Sequence, residues 1–571
     1  MEKSWQVPLM TDIYSNATTV HAWLGPKPTD QLHTVSNICN AFGYMDRIWE
    51  VAQQTKEYDR LKSEDDLLQA CFVISQSPAE SSQQQNSRAQ KAWADFAQEL
   101  RIAVRDKDLL DAALPSLAAF SQLDWFQRIW ILQESGRARA LTFHYSEQQI
   151  SHRHVLLSLS LARAGSAALK KQALQRESTF DDRFVSCMTA RVTCSKGISL
   201  LEVLKLSYFE RSVTHNASDP RDRIYALMGL ARSQHEIPVD YDLSTDEVYI
   251  WTARFLLKHG FTDLLIQVKP YGSRGLVAAG FPSWAHDWSL KSVPLFARFK
   301  AAGETKQELS FVRCVDAPFK TALVIKGIAL GLVMGAGSTF ASSASAAKFT
   351  PAAIRGGRLR DTELETLSVE DEQMLREQIV QLHRSLGSQM ESTQLDTLFE
   401  ASLAKFWHWW LQWLKSVHDL LSTTQSGNPP LQLQPTIADM LLREAPPKIR
   451  ETDAIKTLIA RSLLNPTYLL QTLLPLRATG SPEIGVELAS SLFRSAWNTR
   501  LIILLNGVIC SGPESTQIND QVILCRGVSA PLVVRRVGEE LWRIIGPAFV
   551  CGAMGGEKIR GEKEERMFTV I

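Results

Sequence analysis

The sequence predicts an α/β domain over residues 1–300, a linker and mostly helical region over 301–485, and a small antiparallel β module over 486–571. Three observations carry that expectation. Helix-patterned stretches alternate with short β-branched ones through the first part of the chain, the pattern of helices layered on a sheet. A run of small residues from Ser338 to Ala353, then a charged stretch around Glu363–Glu377, reads as a linker and a surface helix. Beyond residue 500 the chain breaks into short apolar segments separated by turn residues, the pattern of an antiparallel β module.

Val7, Met10, Ile13 and Tyr14 mark the first helix, and a short strand Val20–Leu24 follows, closed by Gly25-Pro26. Residues 31–56 keep a helical pattern. Residues 76–90 are a Gln- and Ser-rich loop with too few apolar side chains to pack. Helices resume over 91–113, with Pro115 as a break, and a helix over 125–134 leads into a strand over Ala140–Tyr145. In Asp219-Pro220-Arg221-Asp222, Asp219 fits an N-cap, Pro220 the first helical position and Asp222 the acid of a capping box. Arg221 is then free to pair with a carboxylate. Residues 386–475 read as helical with proline breaks. Leu501–Val508, Gln521–Gly527, Ala530–Val537 and Leu541–Ile545 supply the terminal strands.

A chain of 571 residues holds two or three domains. Lys plus Arg is 62 and Asp plus Glu 61, so no basic excess announces nucleic-acid binding. The eight cysteines form no C-x-x-C pair, which argues against a zinc site and a disulfide framework and for a reducing cytoplasm. The first 25 residues lack the apolar core of a signal peptide, and no apolar run is long enough to span a membrane. Phe406–Leu414 is an aromatic stripe between Lys405 and Lys415, read as helix packing ahead of an interfacial helix. No P-loop, G-x-G-x-x-G, H-E-x-x-H or G-x-S-x-G is present. Ser151-His152-Arg153-His154 holds the one close histidine pair and reads as a solvated helix start rather than a metal site.

Trp125-Phe126-Gln127-Arg128-Ile129-Trp130-Ile131-Leu132-Gln133-Glu134 is the most informative stretch. On a helix, Trp125, Phe126, Ile129, Trp130 and Leu132 share one arc, Gln133 falls inside it and Glu134 at its edge. A polar residue on an apolar face must be hydrogen-bonded, and a carboxylate at its edge has a raised pKa. From these residues alone, a satisfied core amide beside a solvated carboxylate stands ahead of a functional site.

This stretch resembles the W-F-x-R-x-W-x-x-Q-E signature of the fungal heterokaryon-incompatibility (HET) domain. Further blocks follow the family's order. Residues 3–25 resemble its Q-V-x-x-M-x-x-I-Y…W-L-G block, residues 217–230 its D-P-R-D-x-x-Y-A-L-L-G-L block, and residues 282–289 its P-S-W-x-x-D-W-S element. Residues 530–535 and 545–557 are similar to strings common at the C-terminus of HET proteins.

The resemblance implies a TIR-like fold and a role in self/non-self cell-death signalling. It also implies NAD as a possible substrate, with no bound cofactor. Glu134 would then stabilise the oxocarbenium-like ribose as nicotinamide leaves. Trp130 would line the pocket, and Gln133 would fix the carboxylate or the ribose. Protein partners or self-association are implied as well. The alternative is a non-catalytic interaction module on the same fold. The family's opening Y-x-A-L-S-Y-x-W-G and W-I-D-A-I-C-I-N-Q strings are not found here. The resemblance therefore implies a domain without its first strands, with an exposed sheet edge and no turnover.

Overall fold

The computed structural model describes residues 2–25, 32–56, 58–59, 63–75, 88–106, 108–172, 183–210, 215–232, 237–267, 281–290, 299–303, 305, 308–336, 440–442, 499–550, 552–559 and 564–571. The expected surface helix at 363–377, the aromatic stripe Phe406–Leu414 and most of the helical region 386–475 lie outside them. The chain divides into two compact units, centred on residues 1–255 and 294–571. Among the described residues, no helix is long and apolar enough to cross a membrane.

The first unit mixes helices with a small sheet. Its elements are α1 (Glu2–Asn16), β1 (Val20–Trp23), α2 (Leu32–Gln53), α3 (Glu64–Ser75), α4 (Arg88–Asp106), α5 (Leu109–Ser121), α6 (Asp124–Gln127) and α7 (Ile131–Arg137). A hairpin of β2 (Leu141–Tyr145) and β3 (Gln148–Ser151) follows, then α8 (His152–Gln172), α9 (Arg183–Lys196), α10 (Leu200–Lys205), α11 (Asp222–Met228) and α12 (Thr245–Lys258). β1 runs parallel to β2 in the register Val20↔Leu141 to Trp23↔His144. β2 and β3 are antiparallel, Tyr145 facing Gln148. The sheet is therefore mixed, one pair parallel and one antiparallel. The two-residue turn Ser146-Glu147 forces the antiparallel pairing, since parallel neighbours need a long crossover. With the order β1-β2-β3, β1 and β3 are the edge strands among the described residues.

Alternation sets which face of that sheet is buried. Val20, Ala22, Leu141, Phe143, Tyr145 and Ile150 point into the core, while His21 and Trp23 point outward. The core is an aromatic chain across elements: Phe42 on Phe120 (ring centroids 5.7 Å apart), Phe120 on Phe126 (5.6 Å) and Phe126 on Phe143 (5.9 Å). α5 runs through Pro115 rather than stopping before it. Leu114, Leu117 and Phe120 are buried, and that packing outweighs a local cost of ~3 kcal/mol. In α1 only Val7 is fully buried; Trp5, Leu9 and Ile13 are exposed.

Among the described residues, the second unit is mainly a β structure. Its strands are β4 (Leu309–Arg313), β5 (Thr321–Ala336), β6 (Thr499–Leu504), β7 (Ile509–Pro513), β8 (Gln521–Cys525), β9 (Leu532–Arg536), β10 (Leu541–Pro547), β11 (Phe549–Val550) and β12 (Glu565–Val570). β5, β12, β10, β9 and β8 pair in that order, and β8 pairs back to β5, closing a ring. All pairs are antiparallel except β10 with β12. The four predicted C-terminal strand segments are all present. Residues 309–336, read in sequence as the start of the linker and helical region, are strands of this same sheet. β5 pairs with β4, β6, β8 and β12, bending at irregularities near Gly331 and Gly335. At Gly327 a Cβ would sit 2.8 Å from the Leu524 carbonyl oxygen, so only glycine allows the strands to approach.

Candidate functional site

The stretch Trp125–Glu134 is two helices and not one. Arg128 is extended (φ −77°, ψ 138°) between α6 and α7. The backbone there pairs with Asn216 instead of with itself. The Asn216 N–H donates to the Gln127 carbonyl (2.6 Å) and the Ile129 N–H to the Asn216 carbonyl (3.0 Å). These outside partners satisfy groups that a continuous helix would have paired internally. The break has a chemical consequence. In an unbroken helix, residues nine apart are separated by about 13 Å along the axis. Here the Trp125 indole turns back and donates Nε1–H to Glu134 Oε2 at 3.1 Å. Arg128 Nη2 lies 3.4 Å from Glu134 Oε1.

Glu134 is 13% exposed and Arg128 55%. Burial raises the Glu134 carboxyl above its ordinary range, and Arg128 and the Trp125 bond offset this only in part. Tyr14 of α1 lies within electrostatic reach, and burial together with the Glu134 charge pushes its hydroxyl up to about 12. The cavity that Leu132 borders is about 40 Å³, lined also by Thr189, Thr193, Val203, Ser207 and His215, and Glu134 is not part of its wall. That volume suits a water molecule or two.

The other two expected site residues face elsewhere. Gln133 is buried, and its Nε2 donates to the Ala226 carbonyl at 3.0 Å, in α11. Trp130 donates Nε1–H to Asp222 Oδ2 at 3.1 Å, at the start of α11. Arg137 adds bonds to the carbonyls of Gly229 (2.7 Å) and Ala231 (2.8 Å). So Trp130 and Gln133 leave the Glu134 carboxylate and join α7 to α11.

Asp222 does not act as a capping-box acid. It accepts from Trp130 and from the Tyr241 hydroxyl, and burial raises its carboxyl despite both bonds. Arg221 pairs with its own neighbour Asp219 (Nη2–Oδ2 2.8 Å) and donates Nη1 to the carbonyls of Tyr241 (2.6 Å) and Leu243 (2.7 Å). α1 completes the assembly. Ser4 Oγ accepts from the Tyr241 N–H at 3.0 Å, and Thr11 Oγ1 would lie 2.7 Å from a Cβ placed on Gly229. Three stretches separated in sequence by 100 residues or so therefore interlock: α1, α7 and α11 with the segment after it.

A second polar cluster supports α7 from the other side and was not found in the sequence. Arg191 of α9 donates Nε to Glu64 Oε1 (2.6 Å) and Nη1 to the Ser135 carbonyl (2.6 Å). His152 places Nε2 3.0 Å from Glu64 Oε2 and Nδ1 3.1 Å from the Leu141 carbonyl. His152 does begin a helix, but it is buried and not solvated. His154 is bonded to Asp46 (2.9 Å) and stacked on Trp49. Burial alone would raise the Glu64 carboxyl, but the bond and charge of His152, with Arg191, carry it down to about 2. The one sequence signal for this cluster is the Ser63-x-x-Asp66 cap that starts α3 at Glu64.

Residues 1–134 match the model of a family described as Heterokaryon incompatibility protein (HET). The chain is also similar to a curated protein of Neurospora crassa, "Heterokaryon incompatibility protein 6, OR allele", at 24% identity over 368 residues, 59% of this chain and 49% of that protein. The chain thus spans about half the length of the curated relative it matches. No solved structure matches it.

Proposed function

We propose, from the HET-family assignment of residues 1–134, that this chain acts in heterokaryon incompatibility, the fungal self/non-self response, as a signalling module working through protein contacts in the cytoplasm. What supports the interaction reading is the use made of the family's most recognisable residues. Trp130 and Gln133 are bonded to Asp222 and Ala226, and Glu134 to Trp125 and Arg128. Side chains committed in this way build a fold and leave little for a substrate. The cysteines are scattered in the sequence with no C-x-x-C pair, in keeping with a reducing compartment.

A second reading gives the domain a TIR-like architecture and gives Glu134 the cleavage of NAD. The observation in its favour is the largely buried carboxylate itself, held beside one exposed arginine that a substrate phosphate could draw away. Such a carboxylate would stabilise the oxocarbenium-like ribose while nicotinamide leaves as a neutral ring.

The two readings part in cells. Produced at equal levels in a filamentous fungus, the wild type and Glu134→Gln should trigger growth arrest alike, because the swap keeps the bond from Trp125. Loss of arrest in a folded Glu134→Gln protein would overturn the interaction reading in favour of catalysis.

A further inference from the structure

We propose that His21 and His144 form a surface site for a divalent late transition-metal ion, Cu²⁺ before others. The two imidazoles stand on adjacent parallel strands, with His21 Nδ1 2.8 Å from His144 Nε2. Their ring centroids are 4.9 Å apart and the planes tilted by 51°. An ion that takes two nitrogens in cis positions at a right angle, each at about 2.0 Å, needs them about 2.8 Å apart. A tetrahedral ion needs about 3.3 Å. The observed 2.8 Å is the hydrogen bond the rings share, so a cis pair is reached by turning the rings without drawing them apart; Cu²⁺ accepts such a pair and binds nitrogen sites most tightly of the divalent series.

The strands fix the backbone beneath the two rings. The Val20 N–H donates to the Ala140 carbonyl and the Leu24 N–H to the His144 carbonyl, both at 2.8 Å, so the backbones beneath the two rings are locked in register. The rings themselves are on the outward face, opposite Ala22 and Phe143, which fill the core. Small rotations about their side-chain torsions turn the two nitrogens from facing each other to facing one point in solvent. The free pair shares a single hydrogen bond. On ligation the donor ring shifts its proton to its far nitrogen, so both rings bind as neutral imidazoles and acid weakens the site.

Among the described residues, no group of three or more His, Cys, Asp or Glu side chains could hold a metal, so water fills the remaining positions. The other neighbouring histidines do not compete. His152 is bonded at both nitrogens, to Leu141 and Glu64, and His154 to Asp46.

The test is a Cu²⁺ titration of the full chain at pH 7.5, followed by electron paramagnetic resonance and thermal melting. Wild type should bind one ion per chain with a two-nitrogen signature and melt higher with Cu²⁺ than without. His21→Asn and His144→Asn should each lose that ion and that signature, yet melt as the wild type does in the absence of metal, since both rings lie on the outward face. The proposal is overturned if wild type shows no two-nitrogen ion, or if either variant keeps it.

Discussion

Glu64→Ala should cost the first unit up to about 3 kcal/mol, the low end of the penalty for removing one partner of a buried ion pair, because the Glu64 side chain is itself 32% exposed. The Arg191 side chain is only 5% exposed, and the carboxylate of Glu64 is its ion-pair partner. Removing it strands a guanidinium in the interior and frees His152 Nε2 as well. The loss reaches α7, because the same guanidinium holds the Ser135 carbonyl. Urea unfolding followed by tryptophan fluorescence measures it. The acid limb of the stability curve gives an independent reading. The Glu64 carboxyl is held down at about 2 in the folded chain against an ordinary 4.5, so its contribution is full above pH 4.5 and drains away as pH falls toward 2. Glu134 acts the other way: its carboxyl is raised, so it favours the folded state as acid protonates it. Glu64→Ala should therefore flatten the acid slope. An unchanged stability and slope would show that this cluster contributes nothing.

Gly229→Ala should destabilise the same unit by about 1–3 kcal/mol, the usual range for overpacking. The backbone at Gly229 is helical (φ −66°, ψ −10°), so alanine is not strained there and helix propensity favours it. The obstacle is space. An added Cβ would lie 2.3 Å from Gln133 Nε2 and 2.7 Å from Thr11 Oγ1. The amide of Gln133 is the far end of a flexible side chain, but it is buried and bonded to Ala226, so moving it breaks that bond. The double variant Gly229→Ala/Gln133→Ala should lose less than the sum of the two single losses, since one removes the group the other strikes. Additive losses would mean that the two residues do not meet.

Much of this was legible in the sequence, and the misses have physical causes. The apolar character of Trp125, Phe126, Ile129 and Leu132 made their burial legible, and with it the need of Gln133 for a partner, although the single helix that the arc assumed is broken. The break at Arg128 was not legible, because it depends on Asn216, distant in the chain, taking over the backbone bonds. Asp222 looked like the acid of a capping box because local spacing allowed it; its real partners, Trp130 and Tyr241, are brought in by tertiary packing. The same holds for Glu64, His152 and Arg191, which come from three helices with no local pattern between them. In the second unit, the β-branched run of β5 was masked by the small residues that follow it. Of the three residues expected at the site, Trp130 and Gln133 join α7 to α11, while Glu134 is bonded to Trp125 and Arg128.

The central proposal is that the Gln133-Glu134 stretch serves the fold in place of catalysis. Nicotinamide release from NAD by the full-length wild type and by Glu134→Gln, at equal folded protein, tests it most directly. The account predicts equal rates, both at the uncatalysed level. A wild-type rate exceeding that of Glu134→Gln by on the order of 10²–10³, the loss expected for one transition-state-stabilising charge, would contradict it.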